Sequence, residues 1–139
     1  YGEAGLDVLF GDGGDDFLAG GLDRDWLYSG TGLDVLFGGD GDDVLAGEGD
    51  RDWVYGEAGL DLLFGDDGDD VVGGGDGADT VIGGNGADAL FGDGGNDFIF
   101  AESVYDFVGG ATYIGYGNVA VYLAGIAPSQ LSAGNIVVL

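Results

Sequence analysis

The chain has 139 residues and a formal net charge of −25, with 27 acidic residues against two basic ones, Arg24 and Arg51. So few cations exclude a nucleic-acid partner and an anionic membrane surface, because binding to either needs Lys and Arg to neutralise phosphate. Cysteine and histidine are absent, which excludes disulfides, thiolate zinc sites and imidazole bases. Because 45% of the residues are apolar, unlike in disordered acidic chains, we expect a folded domain whose self-repulsion is relieved by calcium or a basic protein.

A nine-residue repeat runs through residues 2–100 as eleven consecutive units without insertion or deletion. Position six of each unit is always aspartate and position eight is always aliphatic. The aspartates are Asp7, Asp16, Asp25, Asp34, Asp43, Asp52, Asp61, Asp70, Asp79, Asp88 and Asp97. The aliphatic residues are Leu9, Leu18, Leu27, Leu36, Leu45, Val54, Leu63, Val72, Val81, Leu90 and Ile99. The aliphatic series predicts one buried row of side chains.

Each unit divides into six residues of turn chemistry and three of strand chemistry. Glycine at positions one, two and four permits positive φ, and Asp23 and Asp50 replace it at position four with a residue tolerated in left-handed geometry. Residues seven to nine, such as Val8-Leu9-Phe10, predict a short strand whose middle side chain points opposite to its neighbours. Two units, eighteen residues, then complete one turn of a coil, with two parallel sheets facing each other across the position-eight row.

A longer period of 27 residues, three units, is superimposed on the nine-residue repeat, since GEAGLDVLF recurs as SGTGLDVLF and GEAGLDLLF. In this period Tyr1 corresponds to Tyr28 and Tyr55, the last residues of their units. We therefore expect further repeats upstream, which would make this chain the C-terminal piece of a longer protein.

The outer faces of the two sheets carry positions seven and nine, which include most of the aromatic residues. One sheet is expected to present Val8, Phe10, Trp26, Tyr28, Val44, Leu62, Phe64, Ile82, Phe98 and Phe100. The other is expected to present Phe17, Val35, Phe37, Trp53, Tyr55, Val71 and Phe91. Two interpretations stay open: the side chains pack on one another along each ladder, or the strips form a contact surface for a partner or another copy.

The repeat decays after Phe100, where residues 101–109 keep Asp106 and Val108 but lose the loop glycines up to the last residue. Residues 110–139 are almost uncharged and contain strand-like segments at 119–123 and 136–139, with a turn at 125–128. Terminal repeats of solenoids are atypical because they cover an open core. The sequence thus predicts two parts, with repeats at 1–100 and a degenerate repeat followed by a C-terminal β cap at 101–139.

The units resemble the calcium-binding repeats-in-toxin (RTX) nonapeptide GGxGxDxUx of secreted bacterial proteins, over about seven tenths of the chain. The resemblance implies a right-handed parallel β-roll, a β-solenoid with eighteen residues per turn, that holds calcium between loops of successive turns. It implies one row of sites from Asp7, Asp25, Asp43, Asp61, Asp79 and Asp97, and a second row from Asp16, Asp34, Asp52, Asp70 and Asp88. Pairing each aspartate with the next in its row gives about nine calcium sites.

Backbone carbonyls complete the ligand set that the resemblance implies. The earlier loop of each site contributes the carbonyls of positions two and four, and the later loop those of positions one and three. The implied carbonyl ligands include Glu3, Gly5, Asp12, Gly14, Gly20, Gly21, Leu22, Asp23, Gly30, Gly32, Gly39, Gly41, Glu48, Asp50, Glu57, Gly59, Asp66, Gly68, Gly75, Gly77, Gly83, Asn85, Gly92 and Gly94.

The choice of calcium also follows from the residues themselves. Calcium accepts six to eight hard oxygen ligands in tolerant geometry, whereas magnesium demands a strict octahedron and zinc or copper favour absent histidine or cysteine. Aspartate that merely initiates turns would not be needed at all eleven equivalent positions. Adjacent pairs such as Asp15-Asp16 are explained by the repeat, and Gly84-x-Gly86-x-x-Ala89 lacks the strand–turn–helix context of a dinucleotide site. We therefore expect no enzyme.

Two functions from different classes remain. In the first, the chain is a calcium-binding module that folds on calcium binding outside the cell and stabilises or follows a secreted effector or adhesin in the same chain. In the second, it is an interaction module that binds a partner, a polysaccharide or another copy through its aromatic faces. No run of eighteen apolar residues predicts a membrane span. The ending resembles the C-terminal secretion region of type I secretion substrates, which implies a secretion region within 101–139, although Asn135 stands where they often have an acidic residue.

Overall fold

The computed structural model of the chain describes residues 1–101, 107–109 and 113–115, and every regular element within these ranges is a β-strand. The strands are β1 (Glu3–Ala4), β2 (Val8–Phe10), β3 (Phe17–Leu22), β4 (Trp26–Thr31), β5 (Val35–Asp40), β6 (Val44–Gly49), β7 (Trp53–Gly59), β8 (Leu62–Asp67), β9 (Val71–Gly77), β10 (Thr80–Asn85), β11 (Ala89–Gly94), β12 (Phe98–Phe100), β13 (Phe107–Gly109) and β14 (Tyr113–Gly115). Within the described part of the chain, no helix is present that is long and apolar enough to cross a membrane.

The strands form two seven-stranded parallel sheets, one from the odd-numbered strands and one from the even-numbered strands. Each strand pairs with the strand one full turn later, so that Val35 lies beside Trp53 and Trp53 beside Val71. The offset is eighteen residues throughout the repeats. This confirms the predicted parallel β-solenoid, which makes about five turns of eighteen residues.

Most strands are longer than the three residues that the sequence predicted. Strand β5 continues through Gly38 and Gly39 to Asp40, and Gly39 and Asp40 pair with Glu57 and Ala58 of the next turn. The glycines at positions one and two had indicated a turn. The ladder continues through them because each loop lies directly over the same loop of the next turn, where its backbone groups find hydrogen-bond partners.

The position-eight side chains form the core between the two sheets, as predicted. From Leu27 to Ile99 each of them is 0% exposed, and Leu18 in the first turn is 5% exposed. Leu9 is partly buried at the N-terminal end of the row. Burying one such side chain stabilises the fold by roughly 1.5–3 kcal/mol, so this single row supplies much of the apolar stabilisation.

The outer faces carry the aromatic side chains on the sheets that the sequence predicted. Rings one turn apart stack, with centroids 5.3 Å apart for Phe10 and Tyr28 and also 5.3 Å for Phe37 and Tyr55. Phe17 is 51% exposed and Phe10 is 67% exposed, whereas most other side chains of these strips are half-buried. Packing along the ladders therefore covers the strips only in part.

Left-handed backbone recurs at fixed positions of the loops. Asp23 and Asp50 have φ values of 74° and 73°, which confirms that they replace glycine in this geometry. Position two also has positive φ throughout, even where it is acidic, as in Glu48 at 66° and Asp66 at 69°. The sequence had not indicated this, because glutamate rarely adopts such a conformation. The fold holds these residues there through the pairing of neighbouring loops.

Both sheets continue past the last complete unit. Strand β13 keeps the eighteen-residue offset, with Leu90 beside Val108, so the degenerate unit still adds a strand. Strand β14 pairs with β12 at an offset of fifteen residues, with Phe98 beside Tyr113. The predicted cap segments at 119–123, 125–128 and 136–139 lie outside the described residues.

Candidate metal centre

The position-six aspartates lie in two rows of loops at opposite edges of the paired sheets. One row occupies the loops that lead from an odd-numbered strand to an even-numbered one, as Asp25 does between β3 and β4. The other occupies the loops in the reverse direction, as Asp34 does between β4 and β5. Neighbours in a row are eighteen residues apart because one turn of the solenoid has that length. The fold thus stacks the aspartates in the two predicted rows.

These aspartates are buried. Asp25 and the eight later ones are between 0% and 3% exposed, whereas Asp7 and Asp16 in the first turn are half-buried.

 The buried set consists of Asp25, Asp34, Asp43, Asp52, Asp61, Asp70, Asp79, Asp88 and Asp97. Burying an ionised carboxylate is costly unless it is paired, hydrogen-bonded or bound to a metal. Each of these side chains therefore needs compensating partners.

One oxygen of each buried carboxylate accepts a hydrogen bond from the preceding turn. The backbone N–H of Asp25 donates to Oδ1 of Asp43 over 2.8 Å, and the N–H of Asp43 donates to Oδ1 of Asp61 over 2.9 Å. The same bond links every successive pair in both rows, at 2.7–3.1 Å. The Oδ1 atoms are therefore satisfied by the fold itself.

The other carboxylate oxygen is shielded from solvent and left without a hydrogen bond. Among the residues that the structure describes, Oδ2 lacks a hydrogen-bond partner in Asp7, Asp16, Asp25, Asp34, Asp43, Asp52, Asp61, Asp70, Asp79 and Asp97. Buried polar atoms in native proteins almost always have a partner, so a regular series of orphans needs an explanation. A bound cation at each position satisfies this requirement.

The orphaned oxygens face small cradles, which are open in ten of the eleven units because position one is glycine. A Cβ atom at Gly38 would lie 2.5 Å from Oδ2 of Asp43 and 2.7 Å from the carbonyl oxygen of Gly56, one turn later. Real Cβ atoms essentially never approach other atoms that closely. Each cradle thus brings a carboxylate oxygen and a carbonyl oxygen together around a space that a side chain would fill.

The carbonyls of positions two and four point from each loop towards the following turn. A Cβ atom at Gly39 would collide with the carbonyl oxygen of Gly21, and one at Gly41 would collide with that of Asp23. The carbonyls of these two positions thus approach the following turn closely, and glycine leaves the most room for them there.

The carbonyls of positions one and three point back towards the preceding turn. The position-three carbonyl of Ala58 accepts the N–H of Gly41 over 2.8 Å, and that of Thr31 accepts the N–H of Gly14 over 2.8 Å. A carbonyl oxygen has two lone pairs, so these bonds leave acceptor capacity. The four carbonyl positions that the resemblance implied as ligands therefore all face the gap between successive turns.

Without a metal, the charged form of the buried aspartates is energetically unfavourable. Burial raises the pKa of Asp52, Asp61 and Asp70 to about 7 and that of Asp43 to about 6. The backbone N–H bond from the preceding turn lowers each pKa, while the neighbouring aspartates in the row raise it. A divalent cation in the gaps would remove this penalty, because it favours the charged carboxylate.

Each gap between turns brings together two position-six carboxylates, and no cluster of three or more metal-binding side chains exists in the described ranges. A cation held there therefore depends on backbone carbonyls for most of its ligands. Hard cations such as calcium accept such a set, whereas zinc and copper prefer nitrogen and sulfur. The donors present fit calcium.

The two arginines bridge neighbouring turns on the outside of the loops. Arg24 lies 3.2 Å from Oδ2 of Asp42, and Arg51 lies 3.5 Å from Oδ2 of Asp69. In both cases Nε also donates to the backbone carbonyl of the same aspartate over 2.9 Å. These pairs were not predicted from the sequence, although both arginines and both aspartates occupy position five and follow the 27-residue period.

Comparison with known families agrees with this geometry. The family model described as the RTX calcium-binding nonapeptide repeat (4 copies) matches residues 1–27, 20–54, 37–72, 47–81 and 73–108. No curated protein sequence matches the chain significantly. The family matches span every aspartate of the two buried rows and cover most of the chain, so the chain belongs to the RTX calcium-binding nonapeptide repeat family.

Proposed function

We propose that this chain is a calcium-triggered folding module, which becomes ordered on calcium binding outside the cell and stabilises or follows a secreted effector or adhesin. The observation that carries the proposal is the series of buried, unpartnered Oδ2 atoms, which recurs at the same place in turn after turn. A calcium-binding β-roll agrees with both the family and the fold. The module itself is proposed to be structural and not catalytic.

The ligand set is proposed gap by gap. In the gap between the fifth and seventh units, both position-six aspartates face the ion together with two carbonyls from each loop. The proposed ligands in this gap are Asp43, Asp61 and the carbonyl oxygens of Gly39, Gly41, Gly56 and Ala58. Six oxygens of this kind fall within the range that calcium accepts, at about 2.3–2.6 Å.

Charge neutralisation supports a role for calcium in folding as well as in binding. Nine divalent ions would supply about 18 positive charges against a net charge of −25. Extracellular calcium modules bind with Kd values of about 10⁻⁴–10⁻³ M. At tenfold excess each site contributes roughly 1.4 kcal/mol, and nine sites contribute on the order of 12 kcal/mol. That is comparable with the whole stability of a domain.

The test is circular dichroism of the chain at pH 7.5 in calcium, in magnesium and in excess chelator. We expect a β-sheet spectrum in millimolar calcium and an unfolded spectrum in chelator, with magnesium unable to replace calcium. Calorimetric titration of the same samples should show several calcium ions bound per chain. An identical β-sheet spectrum in calcium and in chelator would contradict the proposal.

A second candidate function rests on the aromatic strips of the outer faces. Phe10 and Phe17 are exposed to solvent, and the stacked pair Phe37–Tyr55 is only half-buried. Such strips are able to bind a polysaccharide, a protein partner or another copy of the chain. Light scattering and polysaccharide titration of the calcium-loaded chain test this function. A monodisperse monomer that binds none of the polysaccharides would argue against it.

A further inference from the structure

Ser29 is the exception at position one of the repeat, because the other ten units have glycine there. It belongs to the unit SGTGLDVLF, whose position-six aspartate is Asp34. Its side chain lies in strand β4 and is 0% exposed. A serine at this position therefore extends into the cradle that the other units leave open.

The hydroxyl of Ser29 bonds to the loop one turn later. Its Oγ donates to the carbonyl oxygen of Gly47 over 2.7 Å and lies 3.4 Å from that of Ala46. The carbonyl of Gly47 is the position-one ligand proposed for the gap between Asp34 and Asp52. In this gap, the serine side chain thus lies against an oxygen that is proposed to bind calcium.

Comparison with the glycine units shows how much space the serine takes. At Gly47 itself, a Cβ atom would lie 2.6 Å from Oδ2 of Asp52 and 2.8 Å from the carbonyl oxygen of Gly65. A calcium ion needs its oxygens at about 2.3–2.6 Å, so it would compete for this same small space. The methylene and the hydroxyl of Ser29 occupy the equivalent space in their own unit.

We propose that Ser29 closes the gap between Asp34 and Asp52 in place of calcium, so that this one gap forms a metal-independent joint in the solenoid. The inference rests on the proposed function, because it assigns one non-binding gap among the calcium sites. Asp34 still presents Oδ1 to the gap towards Asp16, and Asp52 still presents Oδ2 to the gap towards Asp70. Oδ2 of Asp34 then lies beside the serine without a hydrogen bond to any described residue. The joint therefore removes one ion without removing either carboxylate from the rows.

Native mass spectrometry tests this inference, because it counts the calcium ions bound to each folded chain as integers. The 139-residue chain is compared with Ser29→Gly, which opens the closed cradle, and with Gly38→Ser, which fills the cradle beside Asp43 and Gly56. We expect Ser29→Gly to bind one ion more than the original chain and Gly38→Ser to bind one ion fewer.

Ser29→Ala supplies a second measurement, because it keeps the Cβ atom but removes the hydrogen bond to Gly47. We expect it to bind as many ions as the original chain. An ion count that is unchanged in Ser29→Gly would overturn the inference, and a lower count would mean that the hydroxyl is itself a ligand. If the original chain bound no calcium at all, the proposed function would fail along with the inference. If the original chain binds calcium and only the Ser29→Gly count disagrees, the inference fails alone.

Discussion

Replacing Asp61 by asparagine separates the contribution of calcium from that of the protein fold. Oδ1 of Asp61 accepts the N–H of Asp43 over 2.9 Å, whereas Oδ2 has no hydrogen-bond partner among the described residues. A Cβ atom at Gly56 would lie 2.5 Å from the carbonyl oxygen of Gly74 and close to Oδ2 of Asp61, so this carbonyl faces the same cradle as the orphaned oxygen. If the asparagine keeps its side-chain oxygen hydrogen-bonded to the N–H of Asp43, its NH₂ group faces this cradle and can only donate hydrogen bonds there.

The expected effect has opposite signs in calcium and in chelator. Asp61 is proposed to serve two gaps, one with Asp43 and one with Asp79. At a calcium concentration tenfold above Kd, losing two sites costs about 3 kcal/mol of the free energy of unfolding. In chelator, Asp61→Asn removes a buried anion whose pKa burial raises to about 7, so we expect the metal-free fold to be more stable than that of the original chain.

Urea unfolding in calcium measures the first change, and the size of the β-sheet signal in chelator, followed by circular dichroism, measures the second. The control is Asp42→Asn, because Asp42 is 46% exposed and forms a surface ion pair with Arg24, which is worth about 0–1 kcal/mol. Asp61→Asn should lower the unfolding midpoint in calcium far more than the control does. Calcium binding and stability that match those of the original chain would refute the assignment of Asp61 as a ligand.

Three further predictions concern pH, the outward-facing and inward-facing side chains of the strands, and the C-terminal part. Burial raises the pKa of Asp52 from 3.8 to about 7 without metal, so the folded state binds more protons than the unfolded state between these pH values. The stability of the fold in chelator should therefore fall as pH rises from about 4 to 7. A β-sheet signal in chelator that does not change over this range would contradict the burial argument. Trp26→Ser combined with Trp53→Ser should leave calcium-induced folding nearly intact and reduce any self-association, because both rings lie on the outer faces. Leu27→Ser should destabilise the calcium-loaded fold by about 2–5 kcal/mol; circular dichroism and light scattering compare these variants, and a double tryptophan variant that fails to fold would contradict the assignment of the faces. Deleting residues 101–139 should lower calcium affinity and cooperativity by exposing the end of the core, and a calcium titration with an unchanged midpoint and slope would count against a capping role.

The repeat made the core and the aspartate rows predictable from sequence. A strict nine-residue period puts Leu27 and Asp25 of one unit in register with Leu45 and Asp43 one turn later, and the structure pairs them so. The direction of side chains within a three-residue strand then follows from the pleat. Local pattern and overall fold agree at these positions, which is why the prediction succeeded.

Other features depend on contacts between turns that no single unit encodes. Glycines at positions one and two indicated a turn, but pairing with the next loop extends the ladder through them. The left-handed conformation of Glu48 contradicts its own preference and is imposed by the neighbouring loops. The hydrogen bond from Ser29 to Gly47 also joins residues eighteen positions apart. In the sequence, Ser29 is only a conservative exception to glycine.

The hydrogen bonds from each aspartate N–H to the next aspartate Oδ1 all point the same way along the solenoid, from the earlier turn to the later one. Detaching the first turn leaves the Oδ1 atom of Asp25 without a donor, and water can replace a donor to a newly exposed carboxylate. Detaching the turn of Asp97 instead leaves the backbone N–H of Asp79 without its acceptor, and water can replace this acceptor as well. The two ends of the aspartate rows are therefore chemically unlike, because an added turn has to bring N–H donors to the first end and carboxylate acceptors to the second.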